Sequence, residues 1–275
     1  YWQYSHAPRD DWEQGHDYGD WVKQQGGDLD ALRDHEDRVP TELHQTTWAS
    51  DRAIEFIRAR EEGPWLLSVN IYDPQPPFIP PRSYADRFDP AAMPGPHFQP
   101  SDLATQQALE AVDFQGEARE PEGHDAKRCQ ALYYAMINQI DDQFARILET
   151  LEQTGQRDNT VVIFTSDHGE MLGDHGLLQK GCRFYEGLVR IPLILSWPGR
   201  FLEDVRRDAL VELLDLSATI VELGGLDQPE YMQGRALLCQ SDAEKRDYVV
   251  AVRNRLDTRS EFVRAIRDKR YRYQR

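Results

Sequence analysis

The spacing of apolar positions changes along this chain, and each change marks an element. From Trp65 to Tyr72 the run WLLSVNIY is dense in apolar and β-branched residues and stops at Asp73-Pro74, which predicts a buried strand. From about Asp125 to Thr154, the residues Leu132, Ala135, Met136, Ile140, Phe144, Ile147, Leu148 and Leu151 keep a helical period, with Gly155 at the stop. Asp141 and Asp142 fall on the polar side of that helix and read as a solvated face, not a metal pair. Val161 to Phe164 is a second short apolar run, bounded by Asp158-Asn159 and by Asp167-His168-Gly169. Strand, long crossover with a helix, strand is a βαβ unit, expected to be right-handed with both strands parallel. That arrangement places Gln75 and Asp167 on the same edge of one sheet.

The remaining pattern fills in around this unit. Residues Tyr1 to Pro40 show no sustained period and read as an irregular surface segment; His6, His16 and His35 within it fit no metal-ligand spacing. Thr41 is expected to cap a helix running to about Glu62. Between Asp73 and about Gly123 lie most of the prolines, one short helix expected from Asp102 to Val112, and the aromatics Phe78, Tyr84, Phe88 and Phe98. These suit either a substrate-side wall or a packed surface excursion. Ile191 to Trp197 predict a further strand and Val211 to Leu223 a helix closed by Gly224-Gly225. Tyr248 to Val252, Glu261 to Arg267, Tyr271 and Tyr273 alternate apolar with polar, as an antiparallel meander does. The fold class is α/β, a mostly parallel sheet flanked by helices over residues 1–240, with a small antiparallel α+β subdomain beginning over residues 241–275.

Composition narrows the partners. With 40% hydrophobic residues the 275-residue chain can bury a core, and 48 acids against 32 bases give a net charge of −16. That balance argues against a nucleic-acid partner. An anionic substrate is repelled at long range, so a site for one needs local positive charge. Cys129, Cys182 and Cys239 are an odd, scattered set, which favours reduced thiols and a cytoplasmic compartment over a disulfide framework. No apolar run approaches the roughly 20 residues that span a bilayer. The start at Tyr1 reads as that of a fragment, and the sequence leaves oligomerisation open.

The candidate chemistry sits where the second strand ends. In an open α/β sheet ligands bind beyond the carboxyl ends of the strands, and here that end delivers Asp167 and His168. A carboxylate and a neutral imidazole side by side suit a divalent cation. Lys180, twelve residues after His168, would add a compact positive charge suited to an anionic oxygen.

The segments Ser166-Asp167-His168-Gly169-Glu170, Leu172-Gly173-Asp174-His175-Gly176, Lys180-Gly181, Phe184-Tyr185-Glu186 and Arg190-Ile191-Pro192-Leu193-Ile194, in that order, resemble the metal-binding segment of the sulfatases, in the alkaline phosphatase superfamily. The resemblance runs from near Trp48 to the end of the chain. It implies a three-layer α/β sandwich of the alkaline phosphatase type and hydrolysis of a small-molecule sulfate ester. It also implies Asp167 and His168 as ligands of one divalent cation, Ca²⁺ or Mn²⁺, and Lys180 as the contact to the ester oxygens. His175 receives no settled role and is treated as a loop residue.

Two departures qualify what the resemblance implies. The family's nucleophile is a formylglycine made within Cys/Ser-x-Pro-x-Arg, and no such motif occurs in this sequence. The nucleophile half lies outside it, and the 275-residue chain alone is expected to be inactive. Gln75 stands where relatives carry His in Asp-Pro-His-x-Pro-Phe; an amide donates a hydrogen bond but cannot titrate. The readings are therefore a sulfatase, a phosphonate monoester or phosphodiester hydrolase of the same superfamily, or a non-catalytic module that has lost the chemistry.

Overall fold

Tyr18, Trp21 and Val22 stand one helical turn apart, and they fold as helix α1 (Asp17–Gln24). The computed structural model describes residues 17–28, 32, 39–60, 62–107, 117–180, 183–238, 246–256 and 259–275. Within that span the N-terminal stretch is not the irregular surface expected of it. Tyr18 and Val22 join Leu32, Val39 and Ile79 in a buried cluster, with Trp21, Leu43 and Trp48 packed around it. The aromatic spacing outweighs the helix-weakening Gly19, because burial of one apolar face contributes more than propensity subtracts. His6, His16 and His35, like Cys182 and Cys239, lie outside the described residues.

Helix α2 spans Gln45–Arg58. Its cap is His44, whose Nδ1 accepts from the Thr46 amide at 3.3 Å. Thr41 instead belongs to a separate 3₁₀ turn, and its hydroxyl pairs with Ser83 Oγ at 3.1 Å. The next helix, α3, spans Pro100–Gln107, shifted toward the N-terminus of the expected range, whose later residues 108–112 are not described. The long helix α4 (Ala126–Gln153) has the bounds expected of it, and Gly155 follows in the left-handed region at φ +68°. It packs on α2, where Gln139 donates to Thr47 Oγ1 at 3.3 Å, and its Ala135 and Met136 are buried. Of the two acids on its polar side, Asp141 is exposed and Asp142 pairs with Arg87 at 3.4 Å. The aromatics of the insertion mostly pack: Phe78 and Tyr84 are buried, Phe78 standing edge-on to Tyr133 with centroids 6.0 Å apart.

Strand β1 is Val162–Thr165 and strand β2 is Leu193–Ser196. They pair antiparallel, Val162 opposite Ser196 and Thr165 opposite Leu193. This corrects the mostly parallel expectation for the described ladder, and the reason is local. Between the two strands the described residues make only a 3₁₀ turn and a one-turn helix at Glu186–Val189, so the chain folds back where a parallel pair needs a full crossover. Residues 65–72 are extended, with alternating exposure up to Leu66 at 71%, and carry no ladder among the described residues. The period-2 pattern is therefore present, but its parallel pairing is not. Helix α5 (Leu214–Leu223) follows β2, and β3 (Val249–Leu256), β4 (Arg259–Arg267) and β5 (Arg272–Gln274) form a separate antiparallel sheet in that order, as the alternation implied. No helix among the described residues is long and apolar enough to cross a membrane.

Candidate active site

Everything at the site hangs on the exit from β1. Ser166 Oγ donates to the His168 carbonyl at 2.7 Å, and the His168 amide donates to Asp167 Oδ1 at 2.9 Å, which turns both side chains away from the strand axis. The turn is pressed against the 186–189 helix, where the Gly169 amide donates to the Leu188 carbonyl at 2.8 Å. A side chain at 169 has no room, since its Cβ would lie 1.9 Å from the Gly187 carbonyl oxygen. Sequence and packing thus agree on a glycine directly after the acid and imidazole.

His168 is oriented by its own neighbour. Nδ1 lies 2.8 Å from the Gly169 carbonyl oxygen, a contact that requires Nδ1 to carry the proton and leaves the Nε2 lone pair outward. Nε2 faces the Gln75 amide nitrogen at 3.5 Å and Asp167 Oδ2 at 3.7 Å. The Asp167 carboxylate is largely open to solvent, with its side chain 81% exposed. An anionic oxygen and an unprotonated ring nitrogen on one side of one turn fit a divalent cation. Among the described residues no third His, Cys, Asp or Glu joins them, so these two supply part of a coordination shell.

Gln75 reaches this turn from the far end of the extended 65–72 segment. Its approach is anchored two residues earlier by Asp73, which is buried, accepts a short hydrogen bond from Thr46 Oγ1 and lies 3.6 Å from His44 Nδ1. Gln75 and His168 are 93 residues apart in sequence and meet here without a shared ladder between residues 65–72 and β1 among the described residues.

Lys180 is half-buried, and burial pulls its amine below the usual lysine range against the opposing charges of Glu170 and Asp167. Glu170, which is buried, is pushed up to about 7 by desolvation, with Lys180 and the Met171 amide pulling the other way. Tyr133, on α4, is pushed up to about 12, by burial first and then by the charges of Glu170 and Asp167. The lysine, two acids and a phenol therefore feel one another across the end of β1. Glu170 and Tyr133 are the residues that sequence reasoning assigned no role. The signal for Glu170 was an acid immediately before Met171-Leu172, inside an apolar loop; Tyr133 gave none, because an aromatic on a helix's apolar face reads as core.

The Lys180 loop rests on a small core of Met171, Leu177 and Leu188, with Ala118 and Tyr185 packed against it. His175, at φ +55°, stacks on Tyr185 with centroids 4.2 Å apart and planes 21° apart. Its Nδ1 lies 3.4 Å from Asp102 Oδ1 on α3.

The sequence and the fold have counterparts among known proteins. The sulfatase family model matches residues 1–226, a span that begins well before Trp48, where the motifs alone placed the start of the likeness. An arylsulfatase of Clostridium perfringens is 31% identical over 216 residues, covering 75% of this chain and 44% of that protein. An uncharacterized sulfatase of Escherichia coli K12 is 34% identical over 214 residues, covering 76% of this chain and 42% of that protein. The fold superposes on the phosphonate monoester hydrolase of Silicibacter pomeroyi with a TM-score of 0.82 at 23% identity, over 95% of this chain and 60% of that one. The chain thus spans under half the length of these two sulfatases. A match over 226 of 275 residues, carrying the β1 turn and the lysine loop with it, assigns the lineage: the chain belongs to the sulfatase family.

Proposed function

We propose that this chain supplies the cation-binding and charge-neutralising part of a sulfatase active site, and that the complete enzyme hydrolyses a sulfate monoester. The observation behind the reading is the meeting of Gln75, Asp167 and His168 at the end of β1, with Lys180 in electrostatic reach, in a chain of this family. Asp167 and His168 would hold a Ca²⁺ or Mn²⁺ ion, through the carboxylate and the Nε2 lone pair. When bound, such an ion supplies positive charge that polarises an ester oxygen and its attacking group. Lys180 places its ammonium against the ester's anionic oxygens, an interaction strengthened by its half-buried setting. Gln75 donates a hydrogen bond to the ester and moves no proton. Formylglycine, the attacking group, is expected from chain outside these 275 residues, as is the remainder of a mostly parallel sheet that would pair residues 65–72.

Sulfate is favoured over phosphonate because the sulfatase relatives share 31% and 34% identity, while the likeness to the phosphonate hydrolase, at 23% identity, speaks for the fold alone. The test is turnover of an aryl sulfate beside the matching aryl phosphonate monoester by the complete protein, with Mn²⁺ or Ca²⁺, wild type against Lys180→Ala. Dominant sulfate turnover, lost in the variant, is expected. Dominant phosphonate turnover overturns the substrate, and turnover of neither makes the chain part of a non-catalytic module. The 275-residue chain by itself is expected to be inactive; hydrolysis by it that Asp167→Ala abolishes would refute that.

A further inference from the structure

Two arginines face each other across the C-terminal sheet. Arg267 of β4 and Arg272 of β5 are direct partners in the ladder, so both side chains leave the sheet on the same face. Like charges placed in this way repel and loosen the pairing unless an anion lies between them. Here the anion comes from another part of the chain. Arg267 Nη1 donates to both Glu186 oxygens, at 2.6 and 2.8 Å, and Arg272 Nη1 lies 3.8 Å from Glu186 Oε1. Arg272 also donates to the Phe184 carbonyl and lies over the Tyr185 ring at 5.7 Å. Three consecutive residues, Phe184, Tyr185 and Glu186, are thus tied to the sheet.

Glu186 begins the helix against which the turn of Asp167 and His168 is pressed. Gly187 presents the carbonyl oxygen that leaves no room for a side chain at 169, and the Leu188 carbonyl accepts from the Gly169 amide at 2.8 Å. The Gly169 carbonyl in turn accepts from His168 Nδ1 at 2.8 Å, the contact that leaves Nε2 outward. A run of contacts therefore leads from β4 and β5 through Glu186, Leu188 and Gly169 to the His168 ring. The helix in the middle of it, Glu186–Val189, is one turn long. A single turn has little stability of its own, so its position is set by what holds it from outside. The packing of Leu188 with Met171 and Leu177 supplies one hold, and the two arginines supply another.

We propose that Glu186 is a positioning residue for the turn of Asp167 and His168: bound by Arg267 and Arg272, it fixes the 186–189 helix and, through the Leu188 carbonyl and Gly169, the direction in which the two candidate ligands face. Glu186 touches no reacting atom in this scheme. It makes the C-terminal sheet, distant in sequence, part of the support of the site. The consequence for a cation rests on the sulfatase reading; the coupling to Gly169 does not, and the experiment reads the two separately.

In the complete protein, with a chelator present, hydrogen exchange of the Gly169 amide is followed by fragmentation mass spectrometry, and the amides of α2 serve as the reference for general loosening. Glu186→Gln is expected to speed Gly169 exchange about threefold or more while α2 stays unchanged. Arg267→Gln and Arg272→Gln are expected to speed it less, and Arg267→Lys, which keeps the charge, to stay near wild type. The affinity for Mn²⁺ alone, read on the same proteins from the loss of its free electron paramagnetic resonance signal, separates position from charge. Removing the positive charge of Arg267 by itself favours a bound cation, yet the proposal expects Arg267→Gln to bind Mn²⁺ about twofold or more weakly. Unchanged Gly169 exchange in Glu186→Gln, or a rise matched in α2, overturns the proposal. So does an Arg267→Lys protein that exchanges like Arg267→Gln, or equal or tighter Mn²⁺ binding by Arg267→Gln. Far-UV circular dichroism identifies the variants that are folded, and Arg267→Gln carries the exchange test if Glu186→Gln is not. A wild-type protein that binds no Mn²⁺ removes the cation from the functional reading and leaves the exchange result to decide this inference.

Discussion

A methyl group on Gly169 would stand 1.9 Å from the carbonyl oxygen of Gly187, so the turn that presents Asp167 and His168 is built against bare backbone. Gly187 itself is less tightly held, because a methyl there would meet the carbonyl oxygen of Glu170, not Gly169, at 3.2 Å. Gly169→Ala must therefore displace backbone, at a cost of roughly 2–3 kcal/mol or more, and loosen the cation turn with it. Gly187→Ala needs a shift of only a few tenths of an ångström and is expected to cost less than 1 kcal/mol by the same reasoning. Urea denaturation of the two variants checks the asymmetry; equal costs would show that the strand end is not clamped.

Asp215 sits fully buried at the start of α5 and is saturated: it accepts from the Glu212 amide at 2.8 Å, the Arg235 amide at 2.7 Å, and both Arg246 nitrogens at 2.5 and 2.6 Å. Two close donors from one guanidinium fix orientation as well as charge. Arg246→Met leaves a carboxylate in the interior with its main cation gone and is expected to cost about 3–5 kcal/mol. Adding Asp215→Leu should recover part of that loss, because no charge is then stranded. A double variant as unstable as the sum of both singles would contradict this account.

How far the sequence revealed this arrangement depended on distance along the chain. The β1 run, the turn residues after it and the period of α4 are local signals, and the structure follows them to within a residue or two. The stretch between Phe164 and Leu193 is long enough to hold a crossover helix, so no local signal in the sequence marks the antiparallel pairing of β2, which follows from the short turns the chain makes there. An imidazole at a helix cap, as His44 provides, is outside the usual Ser, Thr, Asp and Asn set and leaves no mark. The ring of Tyr185 shows the limit most clearly. Its partners Gln106, His175 and Arg272 are separated by many tens of residues, and no spacing rule connects them.

Gln75→His tests whether the amide is a loss or an adaptation. The Gln75 nitrogen lies 3.5 Å from His168 Nε2, so an imidazole placed there falls beside the candidate cation ligand and can offer a proton to a leaving oxygen. In the complete enzyme the variant is expected to gain about 10-fold or more in kcat for a poor leaving group and little for a nitrophenyl ester, since acid catalysis matters least when departure is easy. Equal gains on both would assign residue 75 to ester binding, not to proton supply.

Glu170 makes stability depend on pH with an unusual sign. An acid raised to about 7 by burial, from an ordinary value of 4.5, holds its proton longer in the folded state than in the unfolded one. Below pH 4.5 both states are protonated and burial exacts nothing. Between 4.5 and 7 the unfolded chain ionises while the folded one resists, so stability falls as pH rises, by on the order of 3 kcal/mol in full. Lys180 offsets some of the desolvation already within that figure, and a variant that removes its charge should push Glu170 higher still. Glu170→Gln is neutral at every pH and abolishes the slope. Measured by urea denaturation with a chelator present, the variant should gain on wild type by 1–2 kcal/mol or more on going from pH 5 to pH 8. A difference between the two proteins that does not change over that range would mean that Glu170 ionises as freely in the fold as in water, and that the charge beside Lys180 is an ordinary surface carboxylate.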